Sequence, residues 1–178
     1  MKANIIMWEN TALIVIDVQI GLFIRQNPIY KEYELLENIN KLEIYTRSIN
    51  VPIFYVQHAN DSTLIAGSYE WQLHSQLKKK NNDILIQKRH PNTFKETDFQ
   101  KELQKRNISQ LVIVGTLTDN CVGATCIGAK KLGYEVILVT DAHSTFSKPA
   151  SDIIEEWHNE LNKIGVILKL TKELIDLS

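Results

Sequence analysis

Six short aliphatic runs constrain this chain more than any other feature: ALIVI (12–16), VPIFYV (51–56), DILIQ (83–87), LVIV (111–114), VILV (136–139) and VILKL (166–170). They are rich in Val and Ile, and most are continuous rather than alternating, which is the pattern of strands covered on both faces. Helical periodicity separates several of them. In 31–49, Leu35, Leu36, Ile39, Leu42, Tyr45 and Ile49 recur at three- and four-residue spacings. Helix-like patterns also occupy 97–107, 119–132 and 149–163, with Thr97 and Asp98 as cap candidates and Pro149 suited to a first turn. Strands alternating with helices predict an α/β protein with a parallel sheet and helices on both faces. The longest stretch without periodicity is 58–82, within which SYEWQLHSQL is expected to form a short helix.

With 178 residues, the chain suits one domain with a sizeable core. Its 20 basic and 21 acidic residues give a net charge of −1, so no basic excess points to nucleic acid or an anionic membrane, and the KKK run at 78–80 reads as a solvated loop. The two cysteines, Cys121 and Cys126, are too few for a disulfide framework and lack dithiol spacing. No apolar run approaches the roughly 18 residues of a membrane span, and the reading is a cytoplasmic protein.

In an open parallel sheet, ligands gather at the carboxyl ends of the strands. The residues just past each run are therefore the informative ones. Asp17, Gln19 and Phe23 follow the first; His58 the second; Lys88, Arg89 and His90 the third; Thr116, Thr118, Asp119 and Cys121 the fourth; Asp141, His143 and Ser144 the fifth. A carboxylate, an ammonium and a thiol thus share one rim. A thiolate is the effective nucleophile, and a helix N-terminus together with Lys88 is expected to favour it. Asp17 could take the thiol proton and later return it to a leaving group. Cys126, among Ala124, Ile127 and Ala129, reads as core, and His158 as the donor or acceptor of a helix-to-core hydrogen bond.

Three segments, LIVIDVQIGLF, ILIQKRHPNTF and LVIVGTLTDNCVGAT, resemble the signature segments of the isochorismatase-like cysteine hydrolases, in the family's order and over about residues 10–170. That family includes nicotinamidases and N-carbamoylsarcosine amidase. The resemblance implies a three-layer α/β/α sandwich with a six-stranded, mainly parallel sheet, and Asp17, Lys88 and Cys121 as a catalytic triad. It also implies a non-proline cis peptide bond between Thr116 and Leu117, and an oxyanion hole formed by the backbone N–H groups of Leu117 and Cys121. Gln19, Phe23, His58 and Trp71 are the expected substrate contacts. Where nicotinamidases place an Asp-x-His metal-binding segment, this chain reads YVQHAND, so neither a metal nor another cofactor is expected.

The favoured activity is cleavage of a C–N bond in a small amide, lactam, imide or carbamoyl compound, in a homodimer or homotetramer. Three alternatives stay open: a vinyl-ether hydrolase of the isochorismatase type, a non-catalytic small-molecule-binding module, and a redox-sensing thiol. Against a nucleotide-binding module, DVQIGLF stands where a G-x-G-x-x-G turn would follow the first strand.

Overall fold

The computed structural model describes residues 8–175. Six strands run in the order β1 (Thr11–Ile16), β2 (Ile53–His58), β3 (Ile84–Lys88), β4 (Gln110–Thr116), β5 (Glu135–Ser144) and β6 (Ile167–Lys169) along the chain. They form one sheet with spatial order β3-β2-β1-β4-β5-β6, and every pairing is parallel. The helices are α1 (Ile20–Phe23), α2 (Glu32–Ser48), α3 (Phe99–Gln104), α4 (Gly123–Lys131), α5 (Ala150–Lys163) and α6 (Thr171–Ile175), with a π-helical turn at Thr118–Val122 leading into α4.

The continuous apolar runs are explained by two cores, one on each face of the sheet. Leu13, Val15, Ile53, Tyr55, Val112, Val114, Ile137 and Val139 point to one side, where Leu35, Leu36, Ile39 and Leu42 of α2 and Leu174 of α6 cover them. The intervening residues, among them Ala12, Ile14, Ile16, Phe54, Val56, Leu111 and Ile113, meet Phe99 and Leu103 of α3, Cys126 and Ala129 of α4 and Leu161 of α5. Successive side chains on a strand alternate faces, so a strand buried on both sides must be apolar throughout.

Strand order reverses between β1 and β4, the neighbours at the centre of the sheet. A crevice opens at such a reversal, because the connections leave in opposite directions. Asp17 ends β1 on one side of it, and the turn carrying Cys121 follows β4 on the other. The two strands approach closely here. Gly115 has φ +119°, and a Cβ on it would run into the backbone of Ile16, its register partner. Only glycine combines that backbone conformation with that contact.

Two expectations about secondary structure change. The segment 68–77 is not helical; it lies across the carboxyl end of the sheet as turns, with one antiparallel bridge between Gln19 and Leu73. Its backbone groups are engaged elsewhere: Gln72 O and Glu70 O accept from the N–H groups of Ile20 and Gly21, and His74 N–H donates to Val18 O. A carbonyl used in this way is not available to a helix turn of its own segment. The far end of the loop is held to α2 by Arg47, which makes paired hydrogen bonds of 2.7 Å to Asp83. The other change is at β5, which runs five residues beyond its apolar core into Thr140–Ser144, where polar side chains are buried against specific partners. The KKK run is exposed. Among the described residues, no helix is long and apolar enough to cross a membrane.

Candidate active site

Three strand ends bring Asp17, Lys88 and Cys121 together. Asp17 leaves β1 in a left-handed conformation, φ 48°, with its N–H on Val56 O at 3.0 Å and its carbonyl accepting from Thr116 Oγ1 at 2.8 Å. The turn is therefore tied to both neighbouring strands. Lys88, the last residue of β3, reaches past β2 and places Nζ 2.7 Å from Asp17 Oδ2. Both side chains are essentially excluded from solvent, at 0% and 1% exposure. Cys121 sits in the π-helical turn after β4, and its Sγ, a carboxylate oxygen of Asp17 and a ring nitrogen of His58 all lie within 4.8 Å of one another. The peptide bond between Thr116 and Leu117 is cis.

The carboxylate of Asp17 is used asymmetrically. Lys88 occupies Oδ2, whereas Oδ1 is buried and has no hydrogen-bond partner among the described residues. A buried acceptor of this kind is costly unless it serves a purpose. Here it belongs to the carboxylate that lies within 4.8 Å of the Cys121 thiol.

Electrostatics correct one expectation. The thiol of Cys121 is pushed up, not down: burial is the main cause, and the Asp17 charge adds to it, outweighing the opposing pull of Lys88. For Lys88, burial pulls the pKa down, but Asp17 and then Cys121 more than offset it, so the ammonium is held above its ordinary value. The resting site is thus a neutral thiol beside a carboxylate–ammonium pair. His58 is pushed down, by burial first and by Lys88 second, and is neutral near pH 7. Its Nδ1 lies 3.4 Å from Lys88 Nζ, a geometry that suits a lone pair on Nδ1 and the proton on Nε2.

A cavity of about 140 Å³ opens onto this group, lined by Asp17, Cys121, His58 and Leu117, with Arg25 and Phe146 also on its wall. A roomier cavity of about 330 Å³ lies between the start of α2 and the end of β5, but neither cysteine lines it.

Of the expected substrate contacts, His58 alone lines the cavity. Gln19 is fully buried and its amide is spent on the scaffold: Nε2 donates to His58 O at 2.9 Å and Trp71 O at 2.7 Å, and Oε1 accepts from His58 N–H at 2.8 Å. It fastens the loop and the end of β2 to the start of α1. Phe23 is buried against His74, with ring centroids 4.7 Å apart. Trp71 packs on the core beneath the loop, and its carbonyl takes a second amide, from Gln57 at 2.9 Å. The wall comes instead from Leu22, Arg25, Asn60, Leu64, Asn120 and Phe146. No periodicity or spacing marks these residues, since the fold brings them together from four separate segments, after β1, β2, β4 and β5.

Asp17, His58 and Cys121 are donor types that zinc accepts. The fit to a resident metal fails on charge. The Lys88 ammonium is pinned on Asp17 and faces His58 Nδ1, so it would stand against a divalent cation at the same place.

Beneath the nucleophile turn, Thr118 Oγ1 meets His143 Nδ1 at 2.8 Å, and His143 Nε2 meets His158 Nε2 on α5 at 2.8 Å. This is the helix-to-core hydrogen bond expected of His158. Burial, and then the neighbouring His158, push His143 down from 6.5 to about 3. A depressed histidine contributes stability above its unfolded pKa, and that stability is lost as pH falls towards the folded value. In urea unfolding, His143 should therefore contribute about 2 kcal/mol to the stability lost between neutral pH and pH 5, and the loss should be smaller by about that amount in His143→Gln, where the other depressed histidines, His58, His74 and His158, still contribute. An equal loss in both proteins would contradict this.

Comparison with known proteins gives the same family as the three segments. Residues 11–158 match the Isochorismatase domain. An uncharacterized isochorismatase family protein of Bacillus subtilis, YddQ, is 28% identical over 177 residues, covering 93% of this chain and 98% of its own. A streptothricin hydrolase of Streptomyces noursei is 24% identical, covering 82% of this chain and 53% of that protein. Among solved structures, an isochorismatase family protein superposes with a TM-score of 0.84 at 30% identity, covering 92% of this chain and 99% of its own. The chain belongs to the isochorismatase family. It carries that family's α/β fold, with an all-parallel six-stranded sheet.

Proposed function

We propose that this protein is a cysteine hydrolase that cleaves a C–N bond of a small amide, lactam, imide or carbamoyl compound through a thioester on Cys121. The observation that carries the reading is the meeting of Asp17, Lys88 and Cys121 at one cavity, with a single carboxylate oxygen left free beside the thiol. Sγ attacks the carbonyl carbon while its proton passes to Asp17 Oδ1. The resulting oxyanion is received by the N–H groups of Leu117 and Cys121. Asp17 returns the proton to the departing nitrogen as the C–N bond breaks, which leaves a thioester and a free amine. Asp17 next takes a proton from water, whose oxygen attacks the thioester, and the acid leaves as the thiol is restored. Lys88 stays protonated throughout and keeps Oδ2 occupied, so proton traffic is confined to Oδ1. The hydrolase named among the relatives supports the reaction class.

The test is ammonia or amine release from a panel of small amides, nicotinamide included, before and after alkylation of Cys121. Turnover of at least one amide that disappears on alkylation is the expected result. Turnover of a vinyl ether that survives alkylation would overturn the reading in favour of the isochorismatase-type reaction.

A further inference from the structure

Arg25 is the cation at this site that its own chain does not use. The other arginines each sit in an ion pair: Arg47 with Asp83, Arg89 with Asp61 and Arg106 with Glu102. Arg25 has no carboxylate within 4.0 Å and no hydrogen-bond acceptor among the described residues, and its Nε is buried without a partner. It is nonetheless held in place, with its guanidinium 4.9 Å from the centroid of the Phe146 ring. Stacking on an aromatic face fixes the plane of the guanidinium while leaving its N–H fork free.

Its position supplies the second half of the argument. Arg25 lines the 140 Å³ reaction cavity and also an outer groove of about 430 Å³, shared with Ser62, Thr63, Ser68 and Glu70. Glu70 is the one acidic residue on that groove, and it makes no ion pair with Arg25. Inside the cavity the charges of Asp17 and Lys88 cancel and His58 is neutral, so Arg25 sets the net charge that a ligand meets. The inner cavity has room for only about four or five water-sized groups. That suits an amide and a short acyl chain, with the rest of the ligand passing Arg25.

We propose that Arg25 is a specificity-determining residue that selects amides carrying a carboxylate, by pairing its free fork with that group while the amide carbon lies at Cys121. This rests on the amide-hydrolase reading above and narrows its substrate class to monoanionic half-amides of short dicarboxylic acids or similar compounds. A planar bidentate carboxylate matches a guanidinium fork, whereas a neutral amide of the same shape leaves it unpaired.

Two readouts test the proposal, one of which needs no turnover. Cys121 is alkylated with iodoacetate, an anion, and with iodoacetamide, its neutral counterpart, and the product is read at Cys121 by mass spectrometry. The iodoacetate-to-iodoacetamide rate ratio should be about tenfold higher in the wild type than in Arg25→Ala, with Arg25→Lys between them. In hydrolysis, the ratio of kcat/KM for succinamate to that for succinamide should fall about a hundredfold in Arg25→Ala, mostly through KM. A merely structural role for Arg25 would lower both members of each pair and leave the ratios unchanged. Ratios equal in wild type and Arg25→Ala, within about twofold, would overturn the anion site. So would a Cys121 that neither reagent reaches. If the labelling ratio holds but neither amide releases ammonia, the hydrolase reading fails and the anion site stands. If succinamide is hydrolysed and Arg25 changes neither ratio, the reverse is true.

Discussion

Cys121→Ala should fold as the wild type does and lose about four to six orders of magnitude in amide turnover, as measured by ammonia release. The size follows from the chemistry proposed for the cavity. Sγ is the atom that would bond to carbon, and an alanine methyl cannot replace it, nor can a nearby residue. His58 is neutral and faces Lys88, and the ε-amine of Lys88 is protonated and engaged with Asp17. The second thiol offers no substitute, because Cys126 is completely buried within α4 and does not line the cavity. Cys126→Ala therefore serves as the control and should keep its turnover, with only the modest stability loss of a small core truncation. Substantial activity in Cys121→Ala would remove the thioester from the mechanism.

Lys88→Met should be the most damaging single change to the fold around the site. It removes the counter-charge from a carboxylate that is 1% exposed, and breaking a buried pair from one side typically costs about 3–5 kcal/mol. That is a large part of the 5–15 kcal/mol by which a domain of this kind is usually stable. The double variant Asp17→Asn/Lys88→Met should recover much of the urea midpoint without recovering activity, because neither charge is then stranded and no base remains. If Lys88→Met unfolds at the wild-type urea midpoint, the ion pair is not the buried, mutually dependent unit described above.

The sheet was legible because its burial is two-sided. A strand covered on both faces has to be largely apolar along its buried length, as Ala12–Ile16 of β1, Ile53–Val56 of β2 and Leu111–Val114 of β4 are. That Asp17, Lys88 and Cys121 share one rim was legible for a related reason: parallel strands end on the same side, so the residues just past each run are brought together by topology, although Cys121 follows Thr116, Thr118 and Asp119 and was singled out by the family resemblance. α1 and α6 were not legible, since four or five residues are too few to show a helical period. The end of β5 was missed because Asp141, His143 and Ser144 are polar, and their burial depends on Thr171, Thr118 and Tyr30, which arrive from elsewhere in the chain. The cavity wall was the least legible part. Phe23 and Trp71 are the aromatic residues in the segments the resemblance marks, yet Leu22, beside Phe23, and Leu64, earlier in the loop that carries Trp71, line the cavity instead. Which loop residue points inward depends on tertiary hydrogen bonds such as those of Gln19, and these leave no periodic trace.

The loop 58–82 also shows how a site can be rigid without regular structure. Gln19 binds both strands of backbone that enclose the cavity, and Gln57 adds a second bond to the same carbonyl of Trp71. A buried amide with every polar atom engaged resists displacement, because leaving its partners would strand several groups at once. The loop is thereby tied to the start of α1 and the end of β2, and Arg25 lines the same cavity against the Phe146 ring.

The most direct measurement is the mass of the wild-type protein quenched in acid during turnover of a hydrolysable amide, followed by mapping of any adduct. An increase equal to the acyl group, located on Cys121 and absent once substrate is exhausted, is the predicted result. Continued product formation with an unmodified Cys121 at every time point, undiminished in Cys121→Ala, would contradict it.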